Sequence, residues 1–199
     1  MDGSKSAITS LNELRLIDTL DLLDPKTKRQ CVWLSFPIAI LALPLFIKAT
    51  IILLTNGHSS YLEIFLSLLI ALVLIVPTYV LHELFHFVFQ WAFSRRIPRL
   101  SLNPPWPYSA LALGTHISRD QGVICALSPV VFITSILVLL SMVVNPQVKV
   151  ILLMMAYIHA ATCAGDFLIV SWLFRHPRHV RLGTVKLTNA LFEPVDNIA

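Results

Sequence analysis

His82-Glu83-Leu84-Phe85-His86 is the stretch whose residue types and spacing could do chemistry. Positions i and i+4 share a helix face, so two imidazoles spaced this way can hold one metal ion. Glu83, next to the first histidine, is then placed to act as general base on a water at the open coordination position. Five-residue matches to HExxH also arise in soluble helices, where all three side chains simply face water. Here the flanking sequence from Ile64 to Phe93 is apolar enough to cross a membrane, and ionisable residues in hydrocarbon usually mark a functional site. The competing reading is a polar contact between helices with no metal.

A catalytic zinc site commonly takes a third protein ligand and leaves one position for water. Asp166 is the first candidate, because apart from Glu83 it is the only acidic residue deep inside an apolar span, Glu63 lying at the very start of the second. His86 lies nine residues before Arg95, and Asp166 nine before Arg175. On regular helices running in the same direction, both sit about 13 Å from the basic end. Cys163 shares the face of Asp166 and is the alternative ligand, since thiolates bind zinc well. His159, seven residues before Asp166, is too far along a straight helix to share an ion with it. It is expected to make a polar contact beside the ligands or in a substrate channel. His116 reads as an ordinary loop histidine, and Lys48 as a side chain reaching for the interface.

The elements that must position these residues follow from composition. Of 199 residues, 56% are hydrophobic and 13% charged, with mean hydropathy +0.77. A soluble domain would carry about a quarter charged residues. This is the profile of an all-α membrane protein, and the formal net charge of +4 is no argument for nucleic acid. Cys31, Cys125 and Cys163 lie in or beside apolar runs without a CxxC pair, so no disulfide framework is expected.

Four transmembrane helices are expected, at about 33–54, 61–93, 123–144 and 148–174. The second is roughly 50 Å long as a straight helix, against about 30 Å of hydrocarbon, so it must tilt, protrude or bend. Pro77, five residues before His82, is one place for a bend. Segment 1–32 is expected to hold an amphipathic helix that starts with the capping-box spacing Ser10/Glu13 and stops at Asp24-Pro25. The 94–121 connection, interrupted by Pro104-Pro105-Trp106-Pro107, leaves room for a short hairpin. Segment 175–199 is a polar tail. Lysines and arginines crowd both termini and the long connection, which the positive-inside rule places in the cytoplasm, with the first span as an uncleaved anchor. The expected setting is the cytoplasmic membrane of a prokaryote.

On these residues the chain resembles a family of small four-span membrane proteins described as zincin peptidases. The shared features are HExxH on the second span, a basic connection and Gly165-Asp166 on the fourth. It is also similar to a reduced core of the site-2 proteases, intramembrane metalloproteases that cut near the cytoplasmic face. That resemblance implies one Zn2+ per chain held by His82, His86 and Asp166, with Glu83 as base. The order Gly165-Asp166 departs from the Asp-Gly order of the site-2 proteases, so their substrate class transfers less well than the metal site. The expected partner is a membrane or interfacial peptide substrate. The rival reading is a metal-binding membrane protein without proteolysis: an accessory factor, immunity protein or carrier.

Overall fold

The computed structural model describes residues 14–22, 24–55, 61–101, 108–185 and 188–195. Strand β1 (Leu14–Leu20) leads into the long helices α1 (Pro25–Thr55) and α2 (Tyr61–Ser94). Strands β2 (Arg99–Ser101), β3 (Tyr108–Ala110) and β4 (Ile117–Ser118) follow, then helices α3 (Arg119–Leu140), α4 (Pro146–Thr162) and α5 (Ala164–Phe174). Strands β5 (Arg181–Val185) and β6 (Thr188–Pro194) close the chain. The class is mostly helical, as composition requires. Among the described residues three helices are long and apolar enough to cross a membrane, or four if α4 and α5, bent against each other by 41°, are counted as one span. The chain is a multi-pass membrane protein.

Three of the helix starts have a local cause. Asp24 accepts hydrogen bonds from the amides of Lys26 (2.9 Å) and Thr27 (3.2 Å), and Pro25 occupies the first helical position. Asp24-Pro25 therefore begins the first membrane helix; it does not end an amphipathic one. Ser118 and Gln121 form a reciprocal capping box at the start of α3. Asn145 caps α4, again with proline at the first turn. Helix α2 runs unbroken through Pro77.

Helix α1 leans on α4 and touches α5, while α2 packs on α3 and α4. The bundle core at their crossing is made of small and flexible side chains, with Ala49, Ala71 and Ala156 beside Leu153, Met154 and Met155. Exposed Leu, Ile, Val and Phe side chains cover the outer faces of α1, α2 and α3, as a lipid-facing surface requires.

Three expectations need correction. The N-terminal amphipathic helix is strand β1 over its described part: Leu14, Leu16 and Leu20 recur at even spacing, and pairing with β6 decides for the strand. Ser10 and Glu13 lie outside the described residues, as do residues 56–60 and the 102–107 proline stretch. The fourth span is not one helix, since it breaks at Cys163 and bends by 41°. The C-terminal segment is not merely a polar tail. It supplies β5 and β6 to an antiparallel sheet ordered β1-β6-β5-β4. The expected hairpin is present, with β2 paired to β3.

The sheet joins both ends of the chain to one end of the bundle. Leu182 and Leu191 pack with Ile117, Cys125, Trp172 and Leu173 in a second core. Glycines permit that approach: a Cβ on Gly183 would lie 2.7 Å from the His116 ring, and one on Gly122 would lie 2.9 Å from Leu182. Trp172 Nε1 donates to Asp18 Oδ2 at 2.6 Å, and His176 Nε2 lies 3.3 Å from the same oxygen. His116, stacked edge-on against Phe192, packs in the sheet layer away from the metal-ligating residue types.

Candidate metal centre

His82 and His86 project from one face of α2 into the bundle, with Nε2 atoms 3.1 Å apart. Asp166 reaches them from α5, its Oδ2 3.3 Å from His82 Nε2 and its Oδ1 3.1 Å from His86 Nε2. All three residues lie deep in the bundle; His82 and Asp166 are 8% and 7% exposed. Asp166 sits in the first turn of α5, where the break at Cys163 has freed the positive end of a helix dipole beside its carboxylate. The depth argument thus selected side chains that do meet.

The remaining ring nitrogens are fixed by hydrogen bonds. His86 Nδ1 donates to the Cys125 carbonyl at 2.9 Å. That bond leaves the Nε2 of a neutral ring as a lone pair, aimed at a carboxylate oxygen. His82 Nδ1 faces His159 Nε2 at 3.2 Å, and His159 Nδ1 faces Thr134 Oγ1 at 3.0 Å. Cys163 Sγ lies 3.8 Å from His82 Nδ1 and 3.9 Å from His159 Nε2, and its thiol donates to the His159 carbonyl at 3.2 Å. His159 therefore stands on the far side of the His82 ring from Asp166, whereas the Cys163 thiol is also within hydrogen-bond reach of Asp166.

Tyr79 was not singled out by spacing, yet its ring stacks parallel on His82 with centroids 5.9 Å apart. Its hydroxyl also hydrogen-bonds the buried Glu83. The i, i+3 and i, i+4 relations to His82 and Glu83 are the sequence signal that would have found it. Thr134, on α3, had no such signal. Gly165 does not mediate close helix approach, because a Cβ there would meet nothing within 4 Å. Instead it lines a cavity of about 920 Å³. That cavity runs between α1, α2 and the α4–α5 bend, with walls from Phe36, Val76, Tyr157 and Ile158, and it reaches His82 and His159.

Residues 75–181 match the model of a family described as "Putative zincin peptidase". The match spans more than half of the 199-residue chain, from the middle of α2 to the first residue of β5. The chain belongs to this family. No curated protein and no solved structure matches it.

The family's description points to a metallopeptidase and to zinc as the implied metal, and the residues present fit that ion. Tetrahedral coordination at ordinary Zn–N and Zn–O lengths separates neighbouring ligand atoms by about 3.3 Å. Here the two Nε2 atoms lie 3.1 Å apart, and each lies 3.1–3.3 Å from a different oxygen of the Asp166 carboxylate. Asp166 Oδ2 is buried with no hydrogen-bond partner, although it lies near His82 Nε2. A buried carboxylate oxygen left so is costly unless a cation meets it. In this zincin-family chain two imidazole nitrogens and one carboxylate come together.

Proposed function

We propose that the protein is a zinc-dependent intramembrane peptidase that cuts a membrane or interfacial peptide near the end of the bundle that carries the sheet. The observation that carries this reading is the meeting of His82, His86 and Asp166 beside a buried Glu83, with His82 lining an apolar cavity. Zinc bound there supplies a Lewis acid that acidifies water and polarises a carbonyl.

The protein's own groups do the rest. His82, His86 and Asp166 would hold the ion. Glu83, steadied by the Tyr79 hydroxyl, takes a proton as the water oxygen attacks the scissile carbonyl carbon. It then returns that proton to the nitrogen as the C–N bond breaks. The cavity walls hold an apolar segment beside His82 and exclude bulk water.

All lysines and arginines except Lys48 and Lys149 belong to the N-terminal segment, the 94–121 connection or the segment after α5. By the positive-inside rule that end is cytoplasmic, with both termini there. A carrier would need polar groups along the whole span. Instead, the far half of the bundle has a core of Ala, Leu, Met, Ile and Val, which favours the enzyme.

The test is cleavage of transmembrane reporter peptides by the protein reconstituted in liposomes, with products read by mass spectrometry. The parent should cleave, and a chelator should stop it. Glu83→Gln should lose about 10²–10⁴-fold in rate while retaining zinc. Turnover in Glu83→Gln at the parent rate would overturn the mechanism.

A further inference from the structure

Beyond the ligands themselves, we infer that His159, oriented by Thr134, is a positioning residue that sets the tautomer in which His82 can bind metal. The inference rests on the metal reading of His82, His86 and Asp166.

The row His82–His159–Thr134 can carry its protons in two directions. In one, His82 Nδ1–H donates to His159 Nε2 and His159 Nδ1–H donates to Thr134 Oγ1, across 3.2 and 3.0 Å. His82 Nε2 is then a lone pair facing His86 and Asp166. In the other, Thr134 donates to His159, His159 Nε2–H donates to His82 Nδ1, and the His82 proton moves to Nε2. That second state fills the metal-facing position with hydrogen. A hydroxyl, which both donates and accepts, permits either direction. Metal binding selects the first, and His159 supplies the acceptor that makes it affordable in a dry interior. Histidine ligands generally need such a partner on the second ring nitrogen. For His86 it is the Cys125 carbonyl.

The same atoms suggest a rival. His82, His159 and Cys163 also lie close enough together to hold an ion of their own. The Cys163 thiol argues against it, since its proton is engaged by the His159 carbonyl at 3.2 Å. A second ion would also require the His82 ring to give up both nitrogen-bound protons.

The helix break makes the arrangement possible. On a straight span His159 would point along the bundle past the site. With the 41° bend at Cys163, α4 delivers His159 to one side of the His82 ring while α5 delivers Asp166 to the other.

Zinc affinity of the full-length protein in detergent, measured by competition with a chromophoric chelator, tests this. His159→Ala should weaken binding by about 10–100-fold. His159→Gln should bind within a few-fold of the parent, because its Oε1 can accept the same proton. Thr134→Val should fall between them, and Cys163→Ser should match the parent at one zinc per chain. Undiminished affinity in His159→Ala overturns the inference. So do two zincs per chain that drop to one in Cys163→Ser, which would assign the cluster as a second metal site. Nitrogen NMR of 15N-histidine-labelled protein gives a second readout. In the zinc-loaded parent His82 and His159 should both carry hydrogen on Nδ1, and hydrogen on His82 Nε2 overturns the assignment. A parent that binds no zinc would remove the proposed function, whereas a parent that binds zinc no more tightly than His159→Ala removes this inference alone.

Discussion

Asp166→Asn separates a metal ligand from a packing residue, because the two roles predict opposite responses to zinc. The substitution keeps the side-chain shape and removes the charge that stands 3.1–3.3 Å from both imidazole Nε2 atoms. Removing one partner of a buried charge pairing costs about 3–5 kcal/mol. At 1.4 kcal/mol per decade, zinc should bind about 10²- to 4 × 10³-fold less tightly. Ligand linkage turns this into a stability difference. With zinc at 100 times the parent's Kd, the parent gains about 2.7 kcal/mol, whereas a 100-fold weaker variant gains about 0.4 kcal/mol. In chelator the order should reverse or vanish. Asp166 Oδ2 has no hydrogen-bond partner, so neutralising the carboxylate relieves a desolvation cost and leaves the metal-free variant at least as stable as the parent. Thermal unfolding in detergent, with and without zinc, reads both arms. Equal destabilisation in both conditions, or zinc affinity within about threefold of the parent, would refute the reasoning.

Two further outcomes concern the layer that supports the site. Burial, and secondarily Arg181, hold the His116 pKa below its ordinary value. The stability it contributes is therefore complete above about pH 6.5 and is lost as pH falls, because the unfolded chain takes up the proton first. The melting temperature of His116→Gln should fall less than the parent's between pH 7.5 and 5.5; an equal fall would show that His116 does not govern it. Trp172→Phe removes the 2.6 Å bond to Asp18. Because Asp18 is half-exposed, its cost should lie at the low end for charged hydrogen bonds, about 1.5 kcal/mol. Amide exchange in β1 should quicken, and unchanged protection would mean that β6 alone holds the strand.

The sequence by itself determined the membrane class, the pair of histidines and the acid that meets them. Those follow from rules that act locally or along one axis. Apolar run length reports bilayer crossing, four-residue spacing puts His82 and His86 on one face, and counting from Arg95 and Arg175 gives depth. Only tertiary structure decided what surrounds the site. Leu14–Leu20 carries spacing that suits helix and strand alike, and β6, some 170 residues away in sequence, settles it. Nothing in Ala160–Asp166 announces a break, because Cys163 has no side-chain cap and α5 gains its direction from packing on α3 and α1. That break sets His159 and Asp166 on opposite sides of one imidazole. A straight helix places them about 10 Å apart along a single face, so the sequence could pick out His82, His86 and Asp166 but not the approach of His159 to the other edge of the His82 ring.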